Sequence, residues 1–121
     1  MAPRRRTDPA AGRLALAAWV ADPESVDAAT LATAVRFTLE ELTARHPGQA
    51  VEVRVPPLGA TQCLPGPTHT RGTPPNVVET DPLTWIRLAT GRLGWAEAVS
   101  SGDVHASGPR ADLGSYLPLS D

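Results

Sequence analysis

There is no lysine in this 121-residue chain; all eleven basic residues are arginine. That absence excludes Schiff-base catalysis and the lysine of a phosphate-binding loop, both of which need a primary amine. Cysteine occurs once, at Cys63, so an intramolecular disulfide and a cysteine-only zinc cluster are excluded and nothing implies an oxidising compartment. Aromatic residues are confined to Trp19, Phe37, Trp85, Trp95 and Tyr116. A core drawn from this inventory is aliphatic, with the tryptophans as its largest pieces.

Long apolar runs are missing too. The stretch "LALAAWVA" ends at Asp22, Pro23 and Glu24, far short of the roughly 20 residues that span a bilayer and without a convincing cleavage site for a signal peptide. A cytoplasmic protein without stable membrane insertion is expected. The net charge of −2 and a pI near 5.9 give no general attraction to a polyanion, so no nucleic-acid partner is expected. The run "RRR" at 4–6, beside Pro3, Asp8 and Pro9, reads as a solvated terminus. No HxxxH or HExxH pairing joins His46, His69 and His105, so neither a metal nor another cofactor is expected. The serines lack a G-x-S-x-G context, and there is no glycine-rich phosphate loop.

What is present fits one domain: a flexible tail over 1–12, then a single unit over 13–121. "GRLALAAWVA" predicts a short helix that packs Leu14, Leu16 and Trp19. Asp22, Pro23 and Glu24 have the order N-cap, first helical proline, acidic first turn. The helix expected after them keeps Leu31, Val35, Leu39 and Leu42 on one face, and "HPG" at 46–48 stops it. The period then changes to two: in "QAVEVRVPP", Val51, Val53 and Val55 alternate with Glu52 and Arg54, as in a strand with one buried face.

A second strand is expected over 60–64. Prolines 65, 67, 74 and 75 reduce "THTR" to an edge strand or an ordered loop, because proline cannot donate to a ladder. "NVVET" at 76–80 reads as another strand. Asp81 and Pro82 repeat the capping device before "LTWIRLAT", which Gly91 can close. "WAEAVSSG" predicts a second short helix, "DVHAS" a strand, and Leu113, Tyr116 and Leu117 a terminal helical turn. This order is α+β with a mostly antiparallel sheet.

Two readings apply to Cys63, His69 and Arg71. They could supply a nucleophile, a base and an anion-binding group if the fold brings them together. Alternatively Cys63 is a small buried hydrophobe and His69 orders a loop beside Thr68 and Thr70. His46, before the helix stop, suits a C-terminal cation position. Glu52 and Arg54 share the polar face of their strand and Glu79 a similar face of its own; the two carboxylates could form an acid–base pair, or the charges simply make a solvated sheet face.

The segment "ETDPLTWIRLATGRLGWAEAVSSGDVHASGPRADLGSYL", residues 79–117, resembles the C-terminal half of the sterol carrier protein (SCP-2-like) superfamily. The matching positions are Asp81, Trp85, Leu88, Gly91, Leu93, Ala98, Gly102, Val104, Gly108 and Leu113. The whole chain is similar to small stand-alone actinobacterial proteins of that kind. The resemblance implies a five-stranded, mostly antiparallel sheet with helices packed on one face. Between them it implies an apolar cavity that accepts a sterol, fatty acid or acyl chain. That cavity would be lined by Leu39, Leu42, Val51, Val53, Val55, Trp85, Ile86, Leu88, Leu93, Leu113 and Leu117. The prolines of the middle strands would shorten the sheet, and "LPLSD" differs from the peroxisomal tripeptide of eukaryotic relatives.

The expected function is therefore non-catalytic binding or carriage of a lipid or other apolar small molecule. A second reading is a module that binds a protein partner or a second copy of itself. A third is an accessory to thiol-dependent isomerase chemistry, because similar modules end mycothiol-dependent maleylpyruvate isomerase-like proteins. In those, a separate histidine-bearing bundle carries the metal.

Overall fold

A computed structural model of the protein describes residues 5–66 and 76–119. The chain runs α1 (Pro9–Ala21), α2 (Ala28–Arg45), β1 (Val51–Val55), β2 (Gly59–Cys63), β3 (Val77–Thr80), α3 (Pro82–Ala89), α4 (Trp95–Ser101) and β4 (Val104–Ser107). The expected α+β order holds. Helix α1 begins at Pro9, inside the stretch expected to be a tail, and the proline sits in its first turn, where its missing N–H costs nothing.

The N-cap of α2 is Asp27, not Asp22. The Asp27 carboxylate accepts the Thr30 amide at 2.7 Å, whereas Asp22 closes α1 and then accepts the Glu24 amide at 3.3 Å in a turn. The stripe on α2 is as expected: Val35, Leu39 and Leu42 are buried and Leu31 is partly buried. His46 and Pro47 end the helix, and Gly48 follows at φ 147°, where a Cβ would collide with the Leu64 carbonyl.

The sheet has four strands among the described residues, in the order β2-β1-β3-β4, and corrects the expected five. β1 pairs antiparallel with β2 and parallel with β3, and β3 pairs antiparallel with β4. β2 stops at Cys63 because Leu64 takes a left-handed conformation (φ 68°), which turns the chain away from β1. The "THTR" segment, expected as an edge strand or an ordered loop, lies outside the described residues, and His69 and Arg71 with it.

Alternation on β1 is strict: Val51, Val53 and Val55 are fully buried, while Glu52 and Arg54 are partly exposed and form an ion pair with each other. Registers place Gln62, Glu52, Val77 and Ser107 in one outward row and Ala60, Arg54, Glu79 and His105 in the next. The helices therefore cover one face and leave the other bare, as the period-two pattern predicts. On the covered side α2 lies against β2 and α3, α4 against β4, and α1 against the far side of α2. The terminal helical turn expected at Leu113, Tyr116 and Leu117 is present, with the Leu113 carbonyl accepting from the amides of Tyr116 and Leu117. Among the described residues, no helix is long and apolar enough to cross a membrane.

Candidate ligand-binding site

The residues expected to line a cavity come from five segments and meet in one place. Leu39, Leu42, Val51, Val53, Val55, Trp85, Ile86, Leu88, Leu93 and Leu113 all belong to a single buried cluster, and Leu117 packs against its margin. The inner face of the sheet is its floor; α2 and α3 are its roof. The side chains fill the space between them, so the interior is apolar and closed. Cys63 belongs to the same cluster.

One polar contact crosses that interior. The indole N–H of Trp85 donates to Thr38 Oγ1 at 2.8 Å, and the same hydroxyl donates to the backbone carbonyls of Ala34 and Val35. A buried indole thus finds its partner inside the core, without which it would carry the cost of an unmade hydrogen bond. Sequence reasoning passed over Thr38, although the spacing Leu31, Val35, Thr38, Leu42 puts it on the inward face of α2.

Cys63 is fully buried at the end of β2, and desolvation pushes its thiol up to about 12. A thiol held protonated is a poor nucleophile. The other two members of the candidate polar set, His69 and Arg71, lie outside the described residues. His46 stacks edge-on against Tyr116 with centroids 4.8 Å apart, and His105 stands on the bare face opposite Glu79. Among the described residues, no three His, Cys, Asp or Glu side chains are grouped to hold a metal ion.

A cleft of about 590 Å³ opens beside the interior, between residues 6–8, one side of α2 and the turn from β1 to β2. Leu39 is the one residue of the expected lining that also borders this cleft. The N-terminal segment forms the outer wall and is held by two acids of α2. Glu40 accepts the amides of Arg6 and Thr7, each at 3.1 Å, and Glu41 pairs with Arg5 and Arg45. Burial works against ionisation of Glu41, but the hydrogen bonds and charges of Arg5 and Arg45 outweigh it and hold the carboxyl below its ordinary range. Arg36 stands on the α2 wall with Nε donating to the Leu58 carbonyl at 3.0 Å. Neither Arg36 nor Leu58 was singled out from sequence, because only the turn geometry brings them together.

A one-sided α+β domain with a closed apolar interior and a polar-rimmed cleft at its edge is thus the class that the structure defines. Residues 27–119 match the family described as bacterial SCP ortholog. That match spans most of the chain, and the protein belongs to this sterol carrier protein-like family. No curated protein compared with the chain matches it.

Proposed function

We propose that the protein binds and carries an apolar ligand, without catalysing a reaction on it, in space opened between α2, α3 and the inner face of the sheet. Family membership over 27–119 carries this reading, because that span supplies all eleven side chains of the expected lining. Binding requires α2 and α3 to part from the sheet and exchanges side-chain contacts for contacts with the ligand. An acyl chain offsets that loss at about 0.8 kcal/mol per buried CH₂. The buried, protonated Cys63 and the apolar surroundings support carriage over chemistry.

Native mass spectrometry of the purified protein, against the mass of the denatured chain, tests the reading. A discrete adduct of acyl or sterol mass is the expected result. A ligand-free mass that also ignores added fatty acids would overturn it. One observation favours a second reading, a protein-interaction module: among the described residues β4 is an edge strand, and it has no proline, arginine or carboxylate residue, devices that normally block strand addition. A ligand-free protein whose mass in solution rises with concentration would favour that alternative.

A further inference from the structure

The backbone of β3 fixes which groups of β4 face outwards. The Glu52 amide donates to the Asn76 carbonyl at 3.0 Å, and β1 runs parallel to β3 with Glu52 level with Val77. Backbone groups alternate sides along a strand, so Asn76 and Val78 turn theirs to β1, and Val77 and Glu79 turn theirs to β4. The hydrogen-bonded pairs of the β3–β4 ladder are therefore Val77 with Ser107 and Glu79 with His105. Val104 and Ala106 point their amides and carbonyls away from the sheet, where no described strand meets them. Beside them runs an open hollow of about 620 Å³, bordered by Gly102 and by Val99 of α4, an exposed hydrophobic side chain.

This edge is its own complement. About a twofold axis at His105, antiparallel pairing of two β4 strands sets Val104 of each copy against Ala106 of the other, and both residues then donate and accept. The neighbouring in-phase registers, centred on Val104 or on Ala106, would bring Gly102 or Gly108 into the ladder. Those glycines lie outside the strand in left-handed conformations (φ 84° and 101°). The register centred on His105 also sets Asp103 against Ser107, so no carboxylate faces a carboxylate and no arginine faces an arginine.

Resting on the protein-interaction reading above, we propose that the occupant of this edge is a second copy of the chain, joined β4 to β4 with His105 on the twofold axis. The interior stays free for a ligand, so the pairing is compatible with carriage. A four-residue strand is a small contact beside the roughly 1,200–2,000 Å² of stable interfaces, and the pair therefore exchanges with single chains.

Sedimentation equilibrium over a range of concentrations reads the pairing, and cysteine cross-linking reads the register. The expected mass rises from one chain of 12.7 kDa towards two. A106P removes a donor that faces away from β3, so it should keep the far-UV circular dichroism of the unmodified protein and weaken association at least about tenfold. In the proposed register the two His105 Cα atoms stand roughly 4.5 Å apart, within disulfide reach, whereas those of Ser107 stand roughly 13 Å apart. H105C should therefore cross-link under mild oxidation and S107C should not, with the buried Cys63 silent in both. Association that A106P leaves unchanged, or S107C cross-linking as fast as H105C, would overturn the β4 pairing and leave the interaction reading standing. A single-chain mass at every concentration would overturn the pairing and remove the support that self-association gives that reading.

Discussion

At the scale of single residues, the interior depends on a few atoms with no alternative partner. Replacing Thr38 by valine keeps the shape but leaves the Trp85 indole N–H unpaired in a closed core, with an expected loss of about 1–3 kcal/mol in urea unfolding. T38S retains the hydroxyl and should recover most of that loss; equal losses in both variants would argue against the hydrogen bond. Cys63 makes a second prediction. Its folded pKa lies above the unfolded value of 9.0, at about 12, so the unfolded chain releases the proton first as pH rises. Its contribution is complete below pH 9.0 and is lost as pH climbs towards about 12. Unfolding midpoints between those limits should fall in the unmodified protein and fall less in C63A. Sequence reasoning could place Cys63 as either nucleophile or hydrophobe; burial, which depends on residues far away in the chain, decided for the second.

At the scale of elements, helix ends and close approaches set the geometry. Asp81 Oδ1 accepts the Thr84 amide at 2.9 Å and Oδ2 its hydroxyl at 2.8 Å. Burial opposes ionisation there, yet those bonds prevail and hold the carboxyl below its ordinary range. D81A should cost about 1 kcal/mol, and the missing part is the part that the unmodified protein itself loses as pH falls through the carboxylate range. A pH-independent difference between the two proteins would contradict this. Helix α1 meets α2 at Gly12, where a Cβ would run into the Phe37 ring. G12A should therefore destabilise by about 1–3 kcal/mol in urea unfolding although alanine favours helices, and an unchanged midpoint would mean a looser contact. The helix at 82–89 and the strands at 51–55, 77–80 and 104–107 were legible because their caps and periods are local signals. The N-cap of α2 was not: Asp22 and Asp27 offer the same carboxylate chemistry, and the turn over 22–25 that separates them has no period. The closed interior was equally invisible, since the same apolar pattern lines a cavity or fills it.

At the scale of the whole molecule, α1 lies before the matched span of 27–119, yet Ala15 and Trp19 are part of the same cluster as the sheet valines. Trp19 also lies under the Arg92 guanidinium, 5.5 Å from its ring centroid. Heating should give one transition, coincident by tryptophan fluorescence and far-UV circular dichroism. An early fluorescence change alone would show α1 leaving first. The clasp at the end of β2 has a wider consequence. The Leu64 amide donates to the His46 carbonyl and the Leu64 carbonyl accepts from Ala50, so the end of α2, the start of β1 and the end of β2 are tied at one point. Such a tie works as an index pin. A one-residue slip of β1 against β2 would turn Glu52 and Arg54 inwards and the valines out, and the pin leaves the hairpin a single alignment in which to close.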